Sequence, residues 1–373
     1  MNINYSVLNN DEKAIFNMRS LYKQYGYSQF KMSKFEEYDL YVRNKDFLVS
    51  ENIITFTDTD GKLMALKPDV TLSIIKNGEH SRGRVQKVFY DENVYRVSKG
   101  TNSFKEIMQV GLECIGDIDT YNIFEVILLA AKSLNSISEN YILDVSNIDI
   151  VSDMIEECEL DSKSRKELVK CIGEKNVHGI DSLCSDNGVD KDLCEKLKKL
   201  ISLCGRRDVM ASIKEIALPK SAEAVNRLEQ IIKLLDLSGY GNKINIDFSV
   251  ISDTHYYNGF VFKGFIEGIS TRVLSGGQYD NLMKRMKLDS GAIGFAVYLD
   301  MLERFEYSEK DYDVDCVLLY DDTCDIFKIN DAVSQFIKDG INVIATKVIP
   351  TDIKYKELYK LNECGVEKIE KNA

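Results

Sequence analysis

The stretch that decides the fold covers residues 85–115 and reads VQKVFYDENVYRVSKGTNSFKEIMQVGLECI. Its two arms, Val85–Tyr95 and Phe104–Ile115, are rich in β-branched and aromatic residues, whereas residues 97–103 between them are polar and contain a glycine. Such a pattern predicts a long antiparallel hairpin.

The second arm of this hairpin also carries candidate ligand-binding residues. Side chains alternate between the two faces of a strand, so Gln109, Gly111 and Glu113 share one face. Gly111 would let a small molecule approach the backbone, while Gln109 and Glu113 offer acceptors for an ammonium group. A solvent-facing surface on a half-buried strand is the alternative interpretation.

The flanking segments predict further strands and clustered helices. Residues 53–66 form two apolar runs around an Asp-Gly turn, which is typical of a hairpin. Runs of strands with helices grouped elsewhere indicate an α+β fold. The other predicted elements are helices over Asp11–Tyr25, Pro68–Ile75 (with Pro68 at the first helical position), Tyr121–Leu134, Gln278–Met286 and Ala292–Phe305, a mostly helical stretch Asp161–Leu237, strands over Tyr141–Val145 and within Asn242–Leu274, and a turn at Gly276-Gly277.

The pattern restarts after Tyr312. Apolar runs at 314–320 and 340–345 alternate with helical spacing at 329–338 and 354–364. Alternating strands and helices predict a small α/β unit. The sequence therefore predicts two domains, residues 1–308 and 309–373.

Composition excludes several classes of protein. The 373 residues carry a formal net charge of −12, which is the wrong sign for a protein that coats nucleic acid. The first residues resemble no signal peptide, and no apolar run approaches the ~20 residues that span a bilayer, so a cytoplasmic location is expected. The nine cysteines lack any C-x-x-C spacing, and only three histidines are present, so neither a metal site nor a disulfide framework is predicted.

Five segments resemble one known family, in order and at near-correct spacing. Residues 27–41 resemble motif 1 of histidyl-tRNA synthetases, and the hairpin, ending in Q-x-G-x-E at 109–113, resembles their motif 2. Residues 66–71 are similar to their L-R-P-E-x-T segment, Tyr256-Tyr257-Asn258 to D-Y-Y-N, and residues 275–280 to G-G-R-Y-D. The resemblance implies a class II synthetase-like antiparallel sheet flanked by helices, a helical insert at about 161–237, and a truncated C-terminal domain resembling part of an anticodon-binding domain.

Departures from the synthetase pattern change the implied function. Ser252 stands where the histidine-binding arginine belongs, and Met301 where motif 3 has its ATP-binding arginine. Tyr298 replaces the glycine that admits the nucleotide. Removing one cation that faces developing charge typically costs about 10²–10³ in rate, so adenylation is not expected and no catalytic residue is assigned.

These departures make the chain similar to the synthetase-like regulatory subunits of ATP phosphoribosyltransferase. Members of that family pair with a short catalytic subunit and contribute to histidine feedback in the first step of histidine biosynthesis. The resemblance implies a homodimer, no cofactor and no tRNA. Two alternatives remain open: a divergent histidyl-tRNA synthetase or amino-acid ligase, and a histidine sensor for some other partner.

By the same resemblance, eight residues would face a bound histidine. Asp69 and Thr71 could instead serve only a helix N-terminus, Arg96 could form a surface salt bridge rather than bind the ligand carboxylate, and the tyrosines could belong to the core. The full predicted set is Asp69, Thr71, Arg96, Gln109, Glu113, Tyr256, Tyr257 and Tyr279.

Overall fold

The computed structural model describes residues 8–44, 53–78, 83–98, 103–250, 257–302, 312–363 and 365–371. The chain divides into two compact units, residues 1–303 and 304–373. No helix in these described ranges has the length and apolar composition needed to cross a bilayer.

The first unit contains a nine-stranded sheet in the order β1-β5-β6-β12-β11-β10-β7-β9-β8 and a three-stranded sheet in the order β2-β4-β3. The predicted long hairpin is confirmed, because β5 and β6 pair antiparallel from Val85 opposite Gly116 to Val97 opposite Phe104. The strands are β1 (Ser28–Gln29), β2 (Phe35–Glu37), β3 (Thr55–Thr57), β4 (Leu63–Leu66), β5 (Val85–Val97), β6 (Phe104–Gly116), β7 (Tyr141–Asn147), β8 (Cys204–Gly205), β9 (Ile244–Asp247), β10 (Asn258–Ile266), β11 (Leu274–Gln278) and β12 (Gly291–Tyr298).

Helices cover one face of the large sheet and form an insert beside it. The helices of this unit are α1 (Asn10–Gln24), α2 (Tyr38–Arg43), α3 (Thr71–Asn77), α4 (Thr120–Asn135), α5 (Ile148–Glu157), α6 (Ser162–Gly173), α7 (Val177–Asp186), α8 (Lys191–Ser202), α9 (Met210–Ile216) and α10 (Ala222–Leu237), followed by α11 (Asp280–Arg285). The predicted helical stretch 161–237 thus contains α6 to α10, with the two-residue strand β8 between α8 and α9.

The covered face of the large sheet packs against α1, α4 and α10. Tyr22 of α1 contacts the rings of Phe89 and Phe295, and Arg227 of α10 lies over the ring of Phe260. Helix α4 reads TYNIFEVILLAAKSLN and is buried over most of its length, since it lies between the sheet and the outer helices. The opposite face is left for the candidate site.

Three predictions for this unit were wrong. Within the predicted helix Ala292–Phe305, the described residues 292–302 form most of strand β12 and a 3₁₀ turn, and Gly276-Gly277 lie inside strand β11 instead of forming a turn. A central strand with both faces buried shows no alternation, so the apolar residues of β12 look equally suited to a helix. Helix α3 begins at Thr71, three residues after Pro68, because the preceding carboxylate accepts a backbone hydrogen bond there.

The second unit is a four-stranded sheet in the order β14-β13-β15-β16 with one described helix. Strand β13 lies parallel to both β14 and β15, and β15 pairs antiparallel with β16. The helix predicted over Lys354–Cys364 was wrong: residues 355–362 form a strand, because hydrogen bonding to β13 outweighs local helical spacing. The elements are β13 (Val314–Leu319), α12 (Ile326–Lys338), β14 (Val343–Thr346), β15 (Tyr355–Asn362) and β16 (Gly365–Lys371).

Candidate functional site

The buried carboxylate of Glu113 lies on the face of the large sheet opposite α1, α4 and α10, beside a core formed with α2, α3 and α11. The Thr71 hydroxyl donates a hydrogen bond to one carboxylate oxygen at 2.7 Å, and the Tyr279 hydroxyl donates to the other at 2.5 Å. Glu113 sits opposite Gly294 on strand β12, where a methyl group would overlap the carboxylate. Three separate segments therefore hold this group in place.

Asp69 provides a second, half-buried carboxylate near Glu113. It accepts a hydrogen bond from the backbone N–H of Leu72 at 3.0 Å and so also serves the start of helix α3. The Arg96 side chain donates to the Pro68 carbonyl at 3.0 Å, and its charge acts on Asp69. The helix-capping interpretation of Asp69 and its place in the pocket are therefore compatible.

Burial governs the protonation of both carboxyl groups. Loss of solvent raises the pKa of Glu113 from 4.5 to about 8, and the nearby charge of Asp69 adds to this, while the hydrogen bonds from Tyr279 and Thr71 oppose it. Burial also raises the pKa of Asp69, against the backbone hydrogen bonds and the positive charge of Arg96. A cationic ligand between these groups would favour their ionised forms.

Gln109 lies four residues before Glu113 on the same face of β6 and is 3% exposed. Its side-chain nitrogen has no hydrogen-bond partner among the described residues. Gln109 pairs across the sheet with Glu92 on one side and Tyr298 on the other. A buried donor without a partner is costly, so a ligand acceptor at this point would be stabilising.

A buried ion pair closes the pocket next to Gln109. The Lys67 ammonium is fully buried and lies 2.6 Å from the carboxylate of Glu92, which is itself 18% exposed. Together with Tyr298, this pair occupies the part of the sheet face next to Gln109, where the family pattern has the glycine that admits a nucleotide.

Tyr90 is a pocket residue that the sequence did not reveal. Its hydroxyl lies against Gly111, where any side chain would overlap it. The prediction that Gly111 leaves room for a small molecule was therefore wrong, since Tyr90 takes that space. Burial raises the pKa of Tyr90 well above its usual value, and the charges of Glu113 and Asp69 add to this effect. Tyr90 can be recognised as a pocket residue only from its pairing with Gly111 across β5 and β6.

Tyr257 packs over the middle of the sheet. Its ring lies against Gly277, and its hydroxyl bonds with Ser275. Burial raises the pKa of Tyr257, with additional effects from Tyr298, Glu113 and Asp69, which places all three near its hydroxyl. The predicted site residue Tyr256, like Ser252, lies outside the described residues.

The structure thus brings most of the predicted site residues together. Asp69, Thr71, Glu113 and Tyr279 form one connected cluster, Tyr257 lies beside it, and Gln109 follows along β6. Arg96 interacts with this cluster through its hydrogen bond to the Pro68 carbonyl and through its charge, which acts on Asp69. Such a set of carboxylates, hydroxyls and an amide can bind a ligand that is rich in N–H donors.

The position of motif 3 carries no cation. Met301 lies in the 3₁₀ turn after β12, and its sulfur accepts a hydrogen bond from the Thr271 hydroxyl at 3.3 Å. A thioether cannot stabilise the negative charge that develops during adenylyl transfer. Within the described ranges, no group of three or more His, Cys, Asp or Glu side chains is arranged to hold a metal ion.

A mixed, mainly antiparallel sheet with helices on one face and this pocket on the other defines a class II aminoacyl-tRNA synthetase-like protein. The chain belongs to the histidyl-tRNA synthetase family, whose profile matches residues 7–302.

Curated relatives of this chain include regulatory subunits of ATP phosphoribosyltransferase. The chain is 27% identical over 346 residues to an ATP phosphoribosyltransferase regulatory subunit of Clostridium acetobutylicum, covering 90% of this chain and 84% of that one. It is 29% identical over 288 residues to a protein of the same description from Thermoanaerobacter sp., covering 76% and 75%.

Solved structures share the fold. A Bacillus halodurans structure described as an ATP phosphoribosyltransferase regulatory subunit/histidyl-tRNA synthetase aligns with a TM-score of 0.74 at 20% identity, over 92% of this chain and 90% of that one. A chain of the ATP phosphoribosyl transferase (HisG:HisZ) complex from Thermotoga maritima aligns with a TM-score of 0.63 at 20% identity, over 79% of this chain and 98% of that one.

Proposed function

We propose that this chain is a non-catalytic regulatory subunit of ATP phosphoribosyltransferase, which activates a short catalytic subunit in the first step of histidine biosynthesis. The observation that carries the proposal is a retained amino-acid pocket beside an altered nucleotide site. Glu113, Thr71 and Tyr279 remain connected, whereas Met301 and Tyr298 stand where the synthetases need an arginine and a glycine.

The partner in this proposal is the short catalytic chain. Relatives that cover most of this chain are regulatory subunits of that enzyme, and a structural neighbour comes from a complex of the two kinds of chain. The ligand in this proposal is histidine. Its ammonium and imidazole N–H groups can donate to Asp69 and Glu113, and its carboxylate can accept from the side-chain nitrogen of Gln109.

The test uses the full chain alone and together with the catalytic subunit of the same organism. Alone, it should catalyse no histidine-dependent ATP–pyrophosphate exchange. Mixed with the catalytic subunit, it should raise turnover and make turnover more sensitive to histidine, by the 5- to 150-fold (about 1–3 kcal/mol) typical of coupled sites. Exchange by the isolated chain would instead favour a divergent synthetase. If the turnover of the catalytic subunit is unchanged, the remaining hypothesis is that the chain is a histidine sensor for another partner.

We further propose a homodimer. Phe35 and Phe56 pack edge to face at 5.2 Å on the three-stranded sheet, yet they are 47% and 38% exposed. Aromatic residues are enriched at protein interfaces, and Phe35 lies in the segment that resembles motif 1 of the synthetases. Sedimentation of the chain as a monomer at micromolar concentration would contradict this assembly.

The second unit is proposed to be a reduced anticodon-binding domain without a tRNA role. In support, its β13-α12-β14 segment is a parallel βαβ unit, and residues 309–373 include the acidic pair Asp321-Asp322. A cytoplasmic location is part of the same proposal, because the partner enzyme uses ATP and phosphoribosyl pyrophosphate.

A further inference from the structure

A cavity of about 650 Å³ lies at the end of the large sheet that is furthest from the tip of the β5–β6 hairpin. At this end, Val85, Gly116 and Gly291 form one row across β5, β6 and β12. Gly116 and Gly291 line the cavity together with residues at and after the end of helix α11. The volume is in the range of sites that bind small molecules.

This cavity is separate from the Glu113 pocket. Glu113 lies opposite Gly294, which is three residues, or about 10 Å of strand, further along β12 than Gly291. Thr71, Tyr279 and Gly294, which contact Glu113, are not among the residues that line the cavity. A ligand bound here would therefore occupy a second site.

Three cationic residues line this cavity. Arg84, Lys284 and Lys287 are exposed, and none of them lies within 4.0 Å of a carboxylate oxygen of another described residue. Lys287 has a φ of +60°, a backbone conformation that favours glycine or asparagine, so the local backbone does not by itself explain a lysine there. Cations that converge on a concave site without carboxylate partners favour the binding of an anion.

The lining also contains three carboxylates, so the position of the charges matters more than their sum. Both side-chain oxygens of Asp280 accept hydrogen bonds, one from the backbone N–H of Ala292 at 2.9 Å and one from the Asn258 amide at 2.8 Å. Asp117 and Asp289 are exposed, and their oxygens can accept hydrogen bonds from hydroxyl groups of a ligand. The cavity thus offers cations for an anionic group and acceptors for hydroxyls.

Bare backbone and a buried hydroxyl complete the lining. Gly116 has a φ of +138°, and a methyl group there would overlap the carbonyl oxygen of Arg84. A methyl group on Gly291 would lie 3.1 Å from the Asp280 carboxylate. The Ser290 hydroxyl oxygen is buried and has no hydrogen-bond partner among the described residues. Because a buried polar group without a partner is costly, a ligand oxygen next to Ser290 would be stabilising.

We infer that this cavity binds a small phosphate monoester that carries free hydroxyl groups, such as a sugar phosphate. Arg84, Lys284 and Lys287 bind the phosphate group, whose charge of about −1.5 to −2 near neutral pH suits several cations. Ser290 donates a hydrogen bond to a phosphate oxygen, and the two exposed carboxylates accept from the hydroxyl groups of the ligand. The inference concerns a second site and does not rest on the proposed function.

The test is isothermal titration of the full chain with glucose 6-phosphate, glucose and inorganic phosphate at low ionic strength. The wild-type chain should bind glucose 6-phosphate, bind inorganic phosphate more weakly, and give no binding signal with glucose. A double variant with Lys284→Gln and Lys287→Asn should bind glucose 6-phosphate about 10- to 100-fold more weakly, the range for hydrogen bonds to charged groups. Asparagine is chosen because it tolerates the backbone conformation of Lys287. Lys233→Gln, at an exposed position of helix α10, is the matched control and should behave as wild type.

Each result either supports or overturns the inference. A double variant that binds glucose 6-phosphate as tightly as wild type overturns it, as does a wild-type chain that binds neither phosphate compound. An equal loss of affinity in Lys233→Gln would show a general attraction of anions to surface lysines and would also overturn it. A wild-type chain that binds inorganic phosphate as tightly as glucose 6-phosphate overturns the assignment of a sugar phosphate. Titration of the wild-type chain with histidine reports on the Glu113 pocket separately, so the two sites are tested independently.

Discussion

Replacing Glu113 with glutamine should stabilise the fold in alkaline solution. The unfolded chain ionises this carboxyl group near its usual pKa of 4.5, whereas the folded chain holds the proton up to about pH 8. Folding therefore loses stability as the pH rises through this window and is penalised fully above it. The displacement of the pKa corresponds to a ceiling of about 5 kcal/mol, which relaxation of the pocket will reduce.

The assay is urea unfolding of wild type and Glu113→Gln between pH 5 and 9. The two chains should be similar near pH 5, and the variant should be more stable by a few kcal/mol at pH 9, because the amide oxygen can accept from one of the Thr71 and Tyr279 hydroxyls while its NH2 group donates to the other. Glu223→Gln, at an exposed position of helix α10, is the control and should show no such trend. If the unfolding free energies of Glu113→Gln and wild type change with pH in the same way, the argument that Glu113 is buried without a compensating cation is refuted.

Three further predictions concern the same pocket and are measured by unfolding. Tyr279→Phe removes a donor to the buried carboxylate and should cost about 1–3 kcal/mol above pH 8, and less near pH 5, where the group is neutral; an equal loss at both pH values would contradict it. Lys67→Met leaves Glu92 without its partner and should cost about 3–5 kcal/mol, much of which Glu92→Gln should restore in the double variant; simple additivity would show that the pair is not coupled. Gly294→Ala pushes a methyl group into the Glu113 carboxylate and should cost about 1–3 kcal/mol and weaken histidine binding, whereas Gly188→Ala in an open turn should leave binding unchanged.

The sequence was sufficient to predict the strands whose pattern is local. The β5–β6 hairpin was predictable because both arms are long and the link between them is polar. The helix over residues 11–25 was equally clear, since it is amphipathic and ends before a glycine with φ of +82°. Strand β12 was not predictable, because both of its faces are largely buried and its apolar run therefore shows no alternation.

The pocket was predictable only where a motif marks it. Asp69, Thr71, Gln109 and Glu113 stand in recognisable segments, and the structure places them on one face. Tyr90 stands in no such segment. It becomes part of the site by pairing with Gly111. Registers between distant strands depend on the whole sheet and cannot be derived from local spacing.

The position of β12 has a consequence for how the protein is made. This strand lies between β6 and β11, yet it is synthesised about 180 residues after β6 and after the whole helical insert. During translation, the edge of β6 therefore stays unpaired until β12 has been made. An unpaired strand edge is prone to wrong pairing. The insert, whose helix contacts are mainly local, can fold meanwhile on the ribosome. Only when residues 291–298 leave the ribosome can the sheet close, so the amino-acid pocket is completed late in the folding of this unit.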